Sequence, residues 1–264
     1  FRIKRYLDEV LLKAGVSFLT GAFATEILTD EKGALSGVVI ASRSGRQAIK
    51  AKTIIDATER GLIARAAGAK AAPFPAGTYT FKRTIFSGEP PAKADNLKVT
   101  EQLGIYNAKV TGVKAPKGMA SVVTGRMYVC EMQLPMKDAS VRAFAEAEQA
   151  ARDLTFTPTQ LDAADMLQFT PPDFFHGKSS STQPWQGADA LDLGVFQPAG
   201  TDHLFVLSAL ADVARPAAEA MTKPGNFMTV GARVGQTAAQ IAQARGAVGA
   251  VRVGRGNGRP GGTP

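Results

Sequence analysis

Two histidines, one cysteine and one tryptophan among 264 residues leave few side chains for chemistry, so their positions carry the argument. His176 stands in DFFHGKSSS, where aromatic neighbours shield an imidazole and the serines offer polar contacts; such a group can take a proton as a general base. His203 stands just before the apolar run LFVL and could fix a strand end beside a bound group. For both histidines a purely structural role is the competing reading. Arg233, in GARVGQ, could neutralise developing negative charge or pair with a substrate carboxylate, and could equally form a surface salt bridge. Tyr128, Trp185 and Lys178 are further pocket candidates, whereas Cys130, flanked by Tyr128 and Met132 on an alternating stretch, reads as a buried small side chain.

The same scarcity excludes whole classes of site. A single cysteine permits neither an internal disulfide nor a cysteine metal cluster, and two histidines are too few for a histidine-rich metal centre unless carboxylates supplement them. A formal net charge of +8 favours anions over cations as partners. Nucleic acid binding would rest on that charge and on Arg252, Arg255 and Arg259 of the glycine-rich tail; without an organised basic and aromatic surface elsewhere it ranks last. There is no run of 18 apolar residues of the kind that crosses a membrane as a helix.

The elements that must position these groups can be read from periodicity. RIKRYLDEVLLKAG, residues 2 to 15, places Tyr6, Leu7, Val10 and Leu11 at helical spacing and closes at Gly15. Strands are expected near 16–19, 22–29, 34–41, 46–50 and 53–57, with hairpin turns at DEKG and SRSG. In the last of these, Ile54 and Ile55 show no polar alternation, as for a strand covered on both faces. GRMYVCEMQLP is a further strand, and residues 137–154 an amphipathic helix with Val141, Phe144, Ala145 and Ala151 inward. DHLFVLSALADVARPAAEAM returns to strand followed by helix, and KPGNFMTVGARVGQTAAQIAQARG reads as a glycine-marked entry to a long small-residue helix.

Two junctions stand out. IIDATERGLIARAAGA, 54–69, is a strand running into a small-residue helix, with Asp56, Thr58 and Gly61 at the turn where an open α/β sheet presents ligands. Asp56 can support that turn by hydrogen bonds, and Gly61 permits close approach of a neighbour. A tight packing turn would use the same residues. Gly231, Gly235, Gln236 and Thr237 open the late helix with little bulk; its first N–H groups would face an anion or a polar ring edge, or its small face would pack on the sheet.

These pieces together resemble FAD-dependent oxidoreductases of the glutathione-reductase-like flavoprotein class. The resemblance rests on the opening helix and β-meander ending in IIDATERGLIARAAGA, on HLFVLSA, and on VGARVGQTAAQIA. It implies an α/β fold of glutathione-reductase-like FAD-binding type with an inserted mixed-sheet substrate region. It also implies FAD contacts at Asp56, Thr58, Gly61, Gly231, Gly235, Gln236 and Thr237, with His176 and Arg233 as catalytic candidates. Such flavoproteins carry a glycine directly after the equivalent of Asp56–Thr58; here Glu59 stands there, and its side chain would crowd a pyrophosphate.

They also begin with a strand, a Gly-x-Gly-x-x-Gly turn and a helix that holds the pyrophosphate. No such element opens this sequence, and GRGNG at 254–258 lacks the strand-turn-helix context. The fold is therefore expected to be incomplete at its N-terminus. The expected organisation is 1–71 and 201–246 as the FAD-binding region, 72–200 as the substrate or cap region, and 247–264 as a flexible basic tail. The expected partners are a polypeptide supplying the fingerprint, a small organic substrate, and dioxygen or another electron acceptor. On this reading the chain is a subunit or processed fragment that transfers hydride from substrate to flavin; the alternative is a non-enzymatic binding or assembly subunit with a degenerate flavoprotein fold.

Overall fold

The structure is a computed structural model, described here for residues 2–102, 106–109, 122–164 and 167–254. In chain order its elements are α1 (Arg2–Lys13), β1 (Phe23–Thr29), β2 (Leu35–Ser42), β3 (Gly45–Lys50), β4 (Ile54–Asp56) and α2 (Leu62–Ala66). There follow β5 (Gly77–Ser87), β6 (Leu97–Glu101), β7 (Tyr106–Lys109), β8 (Val122–Met136), α3 (Val141–Thr155), β9 (Gln160–Ala163) and β10 (Gln168–Phe169). A 3-10 turn at Leu193–Phe196, β11 (Leu204–Val206), α4 (Arg215–Met221), α5 (Pro224–Ala244) and β12 (Arg252–Val253) complete the described chain. The fold is mixed α/β, and no helix among the described residues is long and apolar enough to cross a membrane.

The chain divides into two compact units, one of Phe1–Ala72 with Phe174–Pro264 and one of Pro73–Asp173. Residues 174–200, read from sequence as part of the insert, thus belong to the first unit, because Phe175 and Phe196 enter its cores.

In the first unit the meander β1–β2–β3 forms where the sequence sets its turns. Asp30 accepts the N–H groups of Lys32 and Ala34, and Gly33 takes φ 83°, closing the first hairpin; Gly45 at φ 95° closes the second. β12 pairs antiparallel with β1, so residues 252 and 253 of the expected mobile tail lie in a sheet; positions 255–264 lie outside the described residues. Residues 16–19 enter no strand ladder, contrary to the alternating apolar pattern, and Phe18 and Leu19 are exposed. α1 forms as expected, yet Tyr6, Leu7, Val10, Leu11 and Leu12 are exposed.

β4 and β11 pair in parallel as a sheet of two strands. One of its faces carries Ile54, Leu204 and Val206 in a core with Ile27, Leu35, Ile63 and Phe175; on the other, Phe205 joins Phe196, Val213, Met221, Val230 and Val234. α5 buries Val230, Val234 and Ala238 at four-residue spacing, the one face that a long helix needs to dock.

The second unit is an antiparallel sheet, β10–β5–β8–β6, with β7 on β8 and β9 on β5. The expectation of a mixed sheet is corrected here: every strand pair of this sheet among the described residues is antiparallel. α3 starts at Ser140, whose hydroxyl accepts the Ala143 N–H, and lays Ala143, Ala147 and Ala151 on the sheet. Val141, expected inward, is exposed, because the buried stripe follows the alanines.

Candidate functional site

The turn after β4 is built by Asp56. Its Oδ1 accepts the Thr58 N–H at 3.0 Å and the Thr58 hydroxyl at 2.6 Å, and its Oδ2 accepts the N–H groups of Ile63 at 2.8 Å and Ala64 at 3.0 Å. Thr58 Oγ1 in turn accepts the Leu62 N–H at 2.9 Å. The first three N–H groups of α2 are therefore spent on side chains of the chain itself, and the two oxygens of Asp56 serve the backbone. Gly61 takes φ 57°, and a Cβ there would lie 2.4 Å from the Phe175 ring. The close neighbour that this glycine admits is thus Phe175. On its outer side the turn stays open, with Ala57, Glu59 and Leu62 exposed.

Phe175 links this turn to the loop that carries His176. The Phe175 N–H donates to Leu210 O at 2.9 Å, and the His176 N–H donates to Lys70 O at 3.0 Å. The His176 ring is exposed and stands edge-on to Phe174 at 5.5 Å, while the Arg215 guanidinium lies 4.9 Å from the Phe174 ring centre. Asp212, buried between β11 and α4, fixes the loop by accepting the Gly177 N–H at 2.9 Å and the Ser180 hydroxyl at 2.8 Å. Sequence reasoning missed Asp212; the signal was a lone carboxylate in the apolar run LSALADVA.

α5 begins at Pro224, with Lys223 as its N-cap, not at the glycines. Gly231, Gly235, Gln236 and Thr237 are therefore interior helical positions whose N–H groups serve the helix ladder, which corrects the expectation of free donors there. Within KPGN it is the proline that sets the start, since proline is preorganised for the first helical position. A Cβ at Gly231 would meet only Leu207, at 3.7 Å; at Gly235 it would meet nothing within 4 Å, and Gln236 is exposed. Arg233 donates to the carbonyls of Ala188 and Leu191, so its guanidinium holds a loop and its catalytic assignment gives way to a positioning one.

The remaining candidates separate. Trp185 packs on the α5 core, and Lys178 pairs with Asp202 at 3.7 Å on the surface. Tyr128 and Cys130 lie in the core of the second unit; burial raises the tyrosine pKa and pushes the Cys130 thiol up to about 11, which suits an inert side chain. His203 adopts φ 62° and its Nδ1 is buried with no hydrogen-bond partner. Burial, then the charge of Arg245, holds its pKa below the usual value, with Lys178 adding to the effect and Asp202 and Asp30 opposing it. A cavity of about 270 Å³ lies in the second unit over Lys137, Ser140, Arg142 and Glu146, and none of the candidate residues lines it.

Residues 2–175, which include β4, its turn and α2, match the family model described as FAD dependent oxidoreductase. The chain belongs to the FAD dependent oxidoreductase family. FAD is accordingly its cofactor. No curated protein matches the chain. Among solved structures it is similar to CabE, an aromatic hydroxylase from angucycline biosynthesis, at 15% identity and TM-score 0.47 over 90% of this chain and 42% of that one. It is also similar to the OxyS anhydrotetracycline hydroxylase from Streptomyces rimosus, at 8% identity and TM-score 0.43 over 92% and 47%. Aklavinone-11 hydroxylase, solved in a ternary complex with FAD and aklavinone, aligns at 12% identity and TM-score 0.42 over 89% and 41%. The chain spans less than half the length of these three proteins.

Exposed surface lies at Ala57, Glu59 and Leu62 of the turn and at Gln236 of α5, where a Cβ at Gly235 would meet nothing within 4 Å. A phosphate holder is another matter, because the N–H groups that open α2 are occupied by Asp56 and Thr58.

Proposed function

We propose that this chain carries the ring-side wall of the cofactor site in an FAD-dependent oxidoreductase of glutathione-reductase-like fold. A segment with a Gly-x-Gly-x-x-Gly turn and its pyrophosphate-binding N–H groups completes the site. The observation that carries this reading is the family match across β4 and α2, the parallel strand and turn at which open α/β sheets take their ligands. FAD, when bound, supplies the ring that accepts hydride from a C–H bond of a small organic substrate; the electrons then pass to dioxygen or another acceptor. The chain's own contribution is orientation. Gly235, Gln236 and Thr237 offer a low wall on α5, and Asp56 and Thr58 stiffen the turn on which Ala57 and Gly61 stand. His176, exposed beside Phe174, is the group that takes a substrate hydroxyl or ammonium proton, and Arg233 acts through the Ala188–Leu191 loop.

A second reading, a binding or assembly subunit that keeps the flavoprotein scaffold without catalysis, draws support from Phe175, whose ring takes the space over Gly61. The two separate on one experiment. The full chain is co-expressed with a strand–Gly-x-Gly-x-x-Gly–helix polypeptide from a family member and supplied with FAD. Visible flavin absorbance that co-elutes with the chain, and that bleaches anaerobically with an amine or alcohol from a substrate panel, supports the oxidoreductase. A complex that excludes FAD at millimolar concentration overturns it in favour of the second reading.

A further inference from the structure

His176 joins an exposed ring to a main chain that is bonded on every side. Its N–H donates to Lys70 O at 3.0 Å, and its carbonyl accepts the Ala199 N–H at 2.8 Å. Before it the Phe175 N–H donates to Leu210 O at 2.9 Å; after it the Gly177 N–H donates to Asp212 Oδ2 at 2.9 Å. Solubility alone asks for none of these bonds, whereas a side chain that must meet a reactant from a fixed direction asks for them all. Main-chain bonds still leave the side-chain torsions of the imidazole unset, so its orientation has to come from the groups around the ring.

The ring meets Phe174 edge-on, with centroids 5.5 Å apart and planes at 77°. Phe174 is itself half-buried, and the Arg215 guanidinium lies 4.9 Å from its ring centre. That guanidinium is fixed in turn: Nη1 donates to Ala209 O at 2.7 Å, and Nη2 donates to Ala211 O at 2.7 Å and to Val213 O. A planar fork anchored on the carbonyls of one turn keeps its place over the aromatic ring, which a flexible ammonium does not. The contacts form a series, Arg215 on Phe174 and Phe174 on His176, and a cation–π or edge-to-face contact biases a side-chain population by about fivefold. We infer that Arg215 is a positioning residue for His176, acting through the Phe174 ring to hold the imidazole in one orientation. The inference rests on the proposed function in one respect: orientation matters because His176 is the group that takes the substrate proton, and that transfer needs a ring nitrogen within hydrogen-bond reach along a set line.

The test is NMR of the full chain with labelled histidine, whose two imidazoles are told apart by His176→Gln. In the parent chain three-bond couplings should show one dominant χ1 rotamer for His176, with ring-to-ring NOEs to Phe174. Phe174→Leu and Arg215→Lys should each lower the ratio of that rotamer to the others by about fivefold, while Phe174→Tyr, which keeps the ring, holds the parent ratio. Hydrogen exchange at the Phe175 and Gly177 amides should stay at the parent level throughout, since their acceptors on Leu210 and Asp212 remain. An unchanged ratio in Phe174→Leu overturns the inference. So does a ratio that changes in Arg215→Lys only together with lost protection at Phe175 and Gly177, which makes Arg215 a brace for its turn and nothing more. In the co-expressed complex with FAD, Phe174→Leu should slow anaerobic bleaching about fivefold at saturating substrate and leave the half-saturating concentration unchanged. A His176→Gln complex that bleaches at the parent rate overturns the proton-taking role of His176 and leaves the orientation result in place, so the two failures are distinguishable.

Discussion

Asp56 shows how a residue placed where a ligand might sit can be spent on the fold. Its two oxygens accept four donors, three of them backbone N–H groups, in a position 2% exposed. Asp56→Ala leaves those donors unsatisfied under Phe175, and the expected cost is about 3 kcal/mol in urea unfolding. A loss within experimental error would mean that water replaces the carboxylate. His203 gives a second expectation. Its folded pKa lies below the usual 6.5, so below that pH the unfolded chain binds a proton that the folded chain resists; stability should decline as pH falls through about 6.5 and recover above it. His203→Asn, which tolerates φ 62°, should flatten this dependence in thermal melts taken from pH 5 to 8. The turn at Asp56, Thr58 and Gly61 was legible from residue types alone, because a strand that ends in Asp-x-Thr and a glycine must bend there. That Phe175 fills the space above Gly61 was not legible, since the contact joins residues far apart in sequence.

At the scale of elements, α5 is tied to the meander by one side chain. Arg245 Nη1 donates to Leu35 O at 3.0 Å and to Lys52 O at 2.8 Å, Nη2 donates to Ser36 Oγ at 2.7 Å, and Asp30 lies 3.5 Å away. Arg245→Ala removes the partners of two carbonyls and should cost about 2 kcal/mol. Hydrogen exchange should accelerate in β1–β3 and α5, with no change in β5 or β8. Arg245→Lys should restore little, because an ammonium cannot reproduce the guanidinium fork. Sequence periodicity located β1 to β3 and α3 within a few residues, for their turns and cap are local. It followed the glycines of α5 instead of Pro224, and it read Ile55 as covered on both faces, whereas its side chain is 38% exposed.

At the scale of the whole molecule, the two units differ in how self-sufficient their cores are. Pro73–Asp173 places Phe81, Ile85, Cys130, Met132, Leu134 and Met136 of one antiparallel sheet against Ala143, Ala147 and Ala151 of α3, a closed core within one continuous segment. The other unit is interrupted, but its two arms meet where the Ala72 N–H donates to Phe174 O at 2.8 Å and Ala71 bridges Phe175. Ends that close can be joined, because the loop-closure cost of a short linker is small. Replacement of 73–173 by a four-residue Gly-Ser linker should therefore leave the first unit folded, with the β4–β11 amides as protected as in the parent chain. The excised 73–173 segment should unfold as one cooperative transition with its own midpoint. If the linked first unit instead loses protection at Leu207 and Ile54, then the β4–β11 pair depends on the 73–173 segment, and the division of the chain into an insert and a cofactor-side scaffold fails.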